Sequence, residues 1–323
     1  MILAGDIGGT KTVLAIYDAS LAIVRDATFP SAAHGSLADI LAAFVLPAER
    51  GELTAACFGV AGPVVDRASK ITNLPWTIEA EALARQLGGI PVTLLNDLQA
   101  TALGVLVLPG SAFAILQAAA APAGGTIAVI APGTGLGVAL LVSIDGTYHA
   151  LASEGGHADF APGTEDEIAL LRYLRGVHGD HVSYERVLSG AGIGDLYDFV
   201  RQATGAAEPA WPPGDRNAAI SHAAIEGRDP AAVRALEMFV EILGAEAGNH
   251  ALRGLATAGV VLGGGIPPKI LSALQHPRFL GRFNAKGRFA SWTRALSVRV
   301  ALEPRAALFG AAHHAATHKD ARP

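Results

Sequence analysis

The sequence is poor in cysteine, in charged residues and in aromatic residues. Its 323 residues include one cysteine, Cys57, so no internal disulfide can form. Cys57 lies in an apolar run, where a buried and unreactive thiol is expected. Charged residues make up only 16% of the chain, whereas hydrophobic residues make up 51%. A chain of this length and composition is expected to form two domains around large apolar cores.

Long hydrophobic runs are also missing. Glycine, proline or charged residues interrupt the apolar positions every few residues, so the chain has no continuous run of the ~20 apolar residues that a membrane helix needs. Met1 leads directly into Ile2–Asp6 without a basic segment or a small-residue cleavage site, so no secretory signal is visible. Together with the single cysteine, these absences predict a cytoplasmic protein with no membrane partner.

Positive charge is scarce as well. The 24 Lys and Arg residues are outnumbered by 29 Asp and Glu residues, which gives a net charge of −5. The nearest approach to a basic stretch interleaved with aromatics is Arg278–Arg294, and that pattern is more typical of an amphipathic surface segment. We therefore expect no nucleic-acid partner.

Glycine, in contrast, is abundant, and its placement predicts a repeated hairpin. Two strands joined by a glycine turn are predicted near the start of the chain, and two more are predicted after residue 125. The four strands are Ile2–Asp6, Thr12–Tyr17, Thr126–Ala131 and Gly137–Ile144. Such internal similarity predicts two α/β domains of related build. We place a small domain at residues 1–105 plus 303–323 and a large domain at residues 106–302.

Capping and turn residues predict further elements. Ser36 followed by Asp39 is typical of a helix start. Thr77 is predicted to cap a helix over Thr77–Leu87. Asp145-Gly146 between apolar runs predicts a tight hairpin turn.

The first glycine turn, Gly5–Thr12, has the composition of a phosphate-binding loop. Consecutive glycines allow backbone N–H groups to approach a polyphosphate, because no Cβ stands in the way. Asp6, at the end of the strand, is placed to hold Mg²⁺ through water, since Mg²⁺ prefers few carboxylates and several waters. The competing interpretation is a tight glycine hairpin, which occurs in many folds.

Two better-known nucleotide loops do not fit the sequence. In a P-loop the second glycine is followed directly by lysine and a helix, whereas here Thr10 separates Gly9 from Lys11 and a strand follows. Gly133-x-Gly135-x-Gly137 lacks the spacing of the dinucleotide fingerprint and also leads into a strand. P-loop and nicotinamide binding are therefore excluded.

Three segments resemble the nucleotide motifs of the sugar kinase, Hsp70 and actin superfamily. Gly5–Thr10 resembles its first phosphate motif, Ala131–Gly137 its second and Val261–Ile266 its adenosine motif. The resemblance implies an actin-like, ribonuclease H-like α/β fold with mixed sheets flanked by helices and a cleft between two domains. It also implies ATP as the nucleotide, with Mg²⁺. The residues implied to bind it are Gly5, Asp6, Ile7, Gly8, Gly9, Thr10, Gly133, Thr134, Gly135, Gly264 and Gly265.

Within that superfamily the chain is similar to the bacterial glucokinase family, and the match runs in the right order over nearly the whole chain. The matching segments are Leu95–Asp97, Ser153–Phe160, Tyr184–Gly190 and Lys286–Phe289. The resemblance implies phosphorylation of glucose at its 6-hydroxyl and a homodimer. It also implies that the sugar is bound by Asn96, Asp97, Glu154, His157 and Glu185.

Asp97 is the candidate general base for the incoming hydroxyl. It follows the short apolar strand Val92–Leu95, and α/β folds bind ligands at the carboxyl ends of such strands. The competing interpretation is an Asn-Asp turn or helix cap leading into Leu98–Leu103. Likewise, Ser153–Gly156 taken alone would suggest only a surface loop.

Neighbouring families offer alternatives. The related family of repressors, open reading frames and kinases carries a cysteine-rich zinc motif, which a chain with one cysteine cannot form. No protein metal site is therefore expected beyond Asp6. Lys11 departs from the glucokinase pattern, in which Asn is frequent, and its role is open. A kinase for fructose, mannose or an N-acyl amino sugar, and a non-catalytic sugar sensor, remain the alternative functions. The resemblance also leaves polyphosphate and ADP open as phosphoryl donors.

Overall fold

The computed structural model of the chain describes residues 1–71, 74–120, 122 and 124–318. The chain forms two compact units. The first unit comprises Met1–Gly110, Tyr148–Ala152 and Glu303–Pro323, and the second comprises Ser111–Thr147 and Ser153–Leu302.

The helices and strands of the described residues come in the following chain order. Up to Gly110 they are β1 (Ile2–Ile7), β2 (Lys11–Tyr17), β3 (Ile23–Pro30), α1 (Leu37–Phe44), α2 (Pro47–Arg50), β4 (Ala55–Val60), β5 (Val64–Val65), β6 (Ala68–Lys70), β7 (Thr77–Glu79), α3 (Ala80–Gln86), β8 (Val92–Asn96) and α4 (Asp97–Val107). After it come β9 (Phe113–Gln117), β10 (Ile127–Pro132), β11 (Leu136–Ile144), β12 (Thr147–Ser153), α5 (Glu165–His178), α6 (Gly190–Thr204), α7 (Arg216–Ile225), α8 (Pro230–Arg253), β13 (Gly259–Leu262), α9 (Leu271–Leu274), α10 (Pro277–Asn284), α11 (Ala290–Arg294), β14 (Val298–Ala301) and α12 (Ala306–Thr317).

A five-stranded mixed sheet forms the centre of the first unit, in the order β3-β2-β1-β4-β8. β1 is antiparallel to β2 and parallel to β4, and β4 is parallel to β8. β4 is buried along its whole length, which explains why its sequence is an unbroken apolar run. β3, at the edge of the sheet, alternates half-buried and exposed residues.

The second unit is centred on strands of a six-stranded sheet in the order β12-β11-β10-β13-β14-β9, of which β12 belongs mostly to the first unit. β10 is antiparallel to β11 and parallel to β13. This hairpin beside a parallel strand has the same build as β2-β1-β4 in the first unit. The repeat that the glycine pattern predicts is therefore present in the fold, and both units contain mixed sheets flanked by helices.

Helix α8 forms the core of the second unit. It is buried on nearly all sides, including Leu236, Phe239 and Leu243, and it packs against α6, α7, α10 and β10. A helix that is apolar around most of its circumference is expected to be buried in this way.

Helices α4 and α12 of the first unit pack with their backbones in contact. A Cβ built on Gly104 would lie 1.9 Å from the carbonyl oxygen of Ala306, and a Cβ on Gly310 would lie 1.8 Å from that of Ala100. Since no side chain fits at either point, glycine is required where the two helices meet. Helix α12 also packs on β1 and β4, so the last described helix belongs to the core of the first unit.

Most of the elements predicted from capping and turn residues are present in the structure. Ser36 caps α1 by accepting a hydrogen bond from the backbone N–H of Asp39. Asp145 and Gly146 form the turn between β11 and β12, both with positive φ. The predicted helix Thr77–Leu87 is wrong at its start, because Thr77–Glu79 form strand β7 and pair with β6. That pairing uses the backbone groups that a first helical turn would need, so α3 begins only at Ala80.

Within the part of the chain that the structure describes, no helix combines the length and apolar character needed to cross a membrane.

Replacing Gly310 by Ala is expected to lower the free energy of unfolding by about 3 kcal/mol, because the new methyl group forces α4 and α12 apart. Gly176→Ala is the matched control: Gly176 also lies within a helix, α5, but has no atom within 4 Å of a built Cβ. That control is expected to be neutral or to stabilise by up to about 1 kcal/mol. Urea unfolding of both variants measures the difference, and equal midpoints would contradict the close helix contact.

Candidate active site

The first glycine turn, between β1 and β2, is held by a buried serine. The N–H of Gly8 donates to the carbonyl of Lys11 across the turn at 3.0 Å. The hydroxyl of Ser31 donates to the Gly8 carbonyl at 2.7 Å, and its N–H donates to the Thr10 carbonyl at 3.1 Å. Ser31 is fully buried, so these bonds fix the shape of the turn from behind. The sequence does not reveal this role, because Ser31 is brought to the turn only by the pairing of β2 with β3.

Asp6 lies near the end of β1, immediately before this turn. Burial raises the pKa of its carboxyl group above the usual value, and the positive charge of Lys11 opposes that shift. An ionised carboxylate held where burial disfavours its charge is a fitting partner for a cation. Asp6 therefore suits the magnesium role that the sequence predicts.

Asn96 is the last residue of β8 in the same sheet, and Asp97 comes directly after it. In the register of the parallel strands, Ile7 of β1 pairs with Val60 of β4, and Val60 pairs with Asn96 of β8. The carboxyl ends of β1, β4 and β8 therefore coincide. Sheet pairing places Asp6 and Asn96-Asp97 at one edge of the first unit, as the argument from strand ends predicts.

The interpretation of Asn96 as a helix cap is also correct. Its Oδ1 accepts from the N–H of Leu98 at 2.9 Å, and Gln99 completes a capping box by accepting from the Asn96 N–H. Its Nδ2 donates to the carbonyl of Gly62 at 3.2 Å. The Asn96 amide is thus held in one orientation by the fold.

Asp97 is the first residue of α4. Its Oδ1 accepts a hydrogen bond from the N–H of Leu98 at 2.9 Å. A carboxylate at the N-terminus of a helix is stabilised by the unpaired N–H groups and the helix dipole. The side chain is half-buried, and α4 behind it is fixed by the contact with α12.

The second glycine turn, between β10 and β11, is joined to Glu185. The N–H of Gly133 donates to the carbonyl of Gly135 at 2.8 Å. Glu185 Oε2 accepts from the N–H of Leu136 at 2.9 Å. A Cβ built on Gly135 would lie 2.4 Å from that same carboxylate oxygen, so a side chain at this position would displace the Glu185 carboxylate. Thr134, between the two glycines, is exposed.

Glu154, His157 and Glu185 come together in the second unit. His157 Nε2 lies 3.9 Å from Glu154 Oε2, and His157 Nδ1 lies 3.9 Å from Glu185 Oε1. The single-turn helix Gly155–His157 brings the first two side chains into proximity. At these distances the three groups are neighbours without being fully paired to one another, so each keeps capacity to bond a polyhydroxylated ligand.

The segment that resembles the adenosine motif, Val261–Ile266, lies beside the second glycine turn. Gly264 has φ of +79°, and a Cβ there would lie 2.5 Å from the carbonyl oxygen of Pro132. The N–H of Ile266 donates to that carbonyl at 3.2 Å. No atom lies within 4 Å of a built Cβ on Gly265, so this glycine faces open space.

Metal ligation by protein side chains alone is not a feature of the described fold. Across residues 1–71, 74–120, 122 and 124–318, no group of three or more His, Cys, Asp or Glu side chains is arranged to hold a metal ion.

Comparison with known proteins agrees with this architecture. The family model described as Glucokinase matches residues 3–318. A glucokinase from Nostoc punctiforme is 38% identical over 333 residues, covering 97% of this chain and 98% of that protein. The crystal structure of a glucokinase from an Antarctic psychrotroph superposes with a TM-score of 0.85 at 33% identity, covering 97% of this chain and 99% of that one.

A more distant structure shares the fold. It is a ROK family glucokinase from Streptomyces griseus in complex with glucose and AMPPNP, with a TM-score of 0.64 at 22% identity, covering 98% of this chain and 99% of that chain.

The fold, with one glycine turn in each unit, defines a sugar kinase of the actin-like α/β class. Within that class, the chain belongs to the glucokinase family.

Gly135→Ala is expected to lower the free energy of unfolding by about 2 kcal/mol, because the added methyl group displaces the Glu185 carboxylate from the Leu136 N–H. In a Glu185→Ala background the same substitution is expected to have a much smaller effect, since the clash is gone. Gly265→Ala controls for adding a methyl group to a nearby turn. Urea unfolding measures all four variants, and equal effects of Gly135→Ala in both backgrounds would disprove the steric link.

Proposed function

We propose that this protein is a glucokinase that transfers the γ-phosphoryl group of ATP to the 6-hydroxyl of glucose, giving glucose 6-phosphate and ADP. Membership of the glucokinase family supports the reaction class. The observation that carries the proposal is the shared sheet edge of the first unit, where Asp6, Asn96 and Asp97 lie at the ends of parallel strands and a glycine turn follows β1.

Asp97 is the proposed general base. As the 6-oxygen of glucose attacks the γ-phosphorus, its proton passes to the Asp97 carboxylate, the new O–P bond forms, and the bond to the β-phosphate oxygen breaks. Its position at the start of α4 supports this role, because the helix fixes the carboxylate by its backbone. Positioning is the main requirement in phosphoryl transfer, where the protein contributes little covalent chemistry.

Asn96, Glu154, His157 and Glu185 are the proposed ligands of the sugar hydroxyls. The Asn96 amide has two donors and two acceptor lone pairs, so the cap and the bond to Gly62 leave capacity for a hydroxyl. Carboxylates and an imidazole together provide acceptors and donors for the remaining hydroxyls. A site that bonds each hydroxyl is expected to discriminate strongly against sugars that lack one.

The glycine turns are the proposed phosphate cradle, with the Gly264-Gly265 segment next to the adenosine. The Ser31 bonds support this assignment for the first turn, since they hold its backbone in one conformation before any ligand binds. Mg²⁺ bound with ATP would neutralise charge on the transferring phosphoryl group, and Asp6 would hold it through water.

We further propose that the enzyme is a cytoplasmic homodimer with no nucleic-acid or membrane partner. Burial raises the pKa of the Cys57 thiol, which suits an inert role in a reducing compartment. The family resemblance supports the dimer.

Sedimentation of the purified chain is expected to show twice the mass of one chain, and a purely monomeric species would contradict this.

The test of the reaction is a coupled assay with purified protein. Glucose with ATP and Mg²⁺ is expected to give the highest kcat/KM in a panel that includes fructose, mannose and N-acyl amino sugars. Polyphosphate and ADP test the phosphoryl donor. A higher kcat/KM for another hexose would support the alternative kinase, and no turnover with any sugar would support a sensor.

Asp97→Ala is expected to lower kcat by about 10²–10⁴-fold, because the attacking hydroxyl loses its base. The KM for glucose is expected to change much less. Glu81→Ala is the matched control, since it removes an exposed carboxylate from the first turn of α3 in the same unit. Steady-state kinetics measure both variants. Near-normal turnover of the Asp97 variant would refute the assigned base.

Asp6→Asn is expected to lower activity by about 10–100-fold while raising stability at neutral pH. Burial raises the folded-state pKa of Asp6, so its stabilising contribution is present below the unfolded value of 3.8 and is lost as pH rises through the folded value. The amide avoids that loss. Urea midpoints at pH 7 and at lower pH measure the effect, and the gap between the two proteins is expected to narrow in acid. A less stable variant at pH 7 would show that burial of the charge is already compensated.

A further inference from the structure

A polar cluster built around a buried carboxylate lies behind the segment that carries Glu185. It consists of Tyr184, Glu246, Asn249, Arg253 and Lys286, and we call it the α8 cluster because its central members lie on that helix. Glu246 is 1% exposed and Tyr184 is 2% exposed. Nothing in the proposed chemistry uses these side chains directly, although Tyr184 immediately precedes a proposed sugar ligand.

The donors and acceptors of the α8 cluster allow only one orientation of the Asn249 amide. Lys286 Nζ donates to Asn249 Oδ1 at 2.7 Å and to the Ala245 carbonyl at 2.8 Å. Because an ammonium group can only donate, the Asn249 oxygen must face Lys286. Asn249 Nδ2 therefore faces the other way, toward Glu246 Oε2 at 3.1 Å and the Tyr184 hydroxyl oxygen at 3.4 Å.

The chain of donors ends at the buried carboxylate of Glu246. The Tyr184 hydroxyl is hydrogen-bonded to Glu246, and burial followed by the Glu246 charge raises the pKa of Tyr184 to about 12. The phenol is therefore the donor in that bond. Arg253 pairs with the same Glu246 carboxylate. Lys286 thus determines which end of the Asn249 amide faces Tyr184.

The placement of Lys286 is unfavourable by itself. Its ammonium is bonded to two neutral oxygens, and burial, with Arg282 adding to it, lowers its pKa to about 8. A Cβ on Gly248 would lie 2.5 Å from Lys286 Cε and 2.6 Å from the Phe283 carbonyl oxygen, so α8 carries a glycine where it meets both the lysine stem and the backbone of α10. Interior glycine itself weakens a helix by about 1 kcal/mol. The ammonium of Lys286 is therefore retained where its surroundings disfavour the charge.

Tyr184 connects the α8 cluster to the proposed sugar ligands. Its backbone N–H donates to the Ala158 carbonyl, and the N–H of Glu185 donates to the Gly156 carbonyl, both at 2.9 Å. The Tyr184 ring packs edge-on against Phe160 with centroids 5.7 Å apart. The segment that carries Glu185 is therefore tied on one side to the loop that carries His157 and on the other to α8.

We propose that the α8 cluster positions Glu185 and His157 for the sugar, and that Lys286 acts in it as a positioning residue rather than a catalytic one. The inference rests on the proposed function, because it takes Glu185 to be a sugar ligand. Lys286 acts through Asn249 and Tyr184, so its removal is expected to weaken sugar binding without disturbing phosphoryl transfer itself.

The test is the kinetics of Lys286→Met, which keeps the length of the stem and removes the donor. We expect the KM for glucose to rise about fivefold, as for one lost hydrogen bond, with kcat and the KM for ATP each within about twofold of the parent. Arg294→Met, which removes an exposed cation from α11, is the matched control. Tyr184→Phe is the second variant in case the first fails to fold, and it is expected to raise the KM for glucose in the same way.

A double-mutant cycle separates positioning from general stability. In a Glu185→Gln background, Lys286→Met is expected to cause no further rise in the KM for glucose, because its effect passes through Glu185. An equal rise in both backgrounds, or a lowered unfolding midpoint with an unchanged KM, would overturn the proposal. If Glu185→Gln alone left the KM for glucose unchanged, Glu185 would not be a sugar ligand, and the assigned site would fail before the cluster was in question.

Discussion

One hydrogen bond determines much of the second unit's site: the carboxylate of Glu185 accepting from the Leu136 N–H. It joins the glycine turn between β10 and β11 to the segment that also supports His157. A Cβ at position 135 would displace this carboxylate, so the residues at positions 135 and 185 constrain each other. A movement of the turn is therefore expected to displace the proposed sugar ligands, and a movement of those ligands to displace the turn.

The first unit uses strand register instead of a side-chain bond. Parallel pairing of β1, β4 and β8 aligns the ends of three strands, and the proposed functional residues lie at or directly after the ends of β1 and β8. Backbone pairing positions groups with little freedom, which suits a reaction that depends on geometry more than on covalent participation. Asp97 gains further rigidity because α4 begins at that residue and is in backbone contact with α12.

Sequence reasoning was strongest where the determining interactions are local. The cap at Ser36 and the turn at Asp145-Gly146 depend on neighbours within a few residues, and both hold in the structure. The helix start at Thr77 was wrong because a strand from elsewhere in the chain competed for the same backbone groups. Ser31 and Lys286 were beyond reach for a related reason, since each acts on residues at least 20 positions away through contacts that only the folded chain creates.

The first unit is built from segments at both ends of the chain, which affects the order in which the protein folds during its synthesis. Helix α12, which covers β1, β4 and α4, is translated only after the entire second unit. Until then the apolar faces around Ala100 and Gly104 have no partner, whereas the second unit already has all of its own segments. Folding on the ribosome is therefore expected to complete the second unit first. A chain that stalls shortly before residue 303 would expose an unfinished core, which makes such products natural substrates for chaperones and proteases.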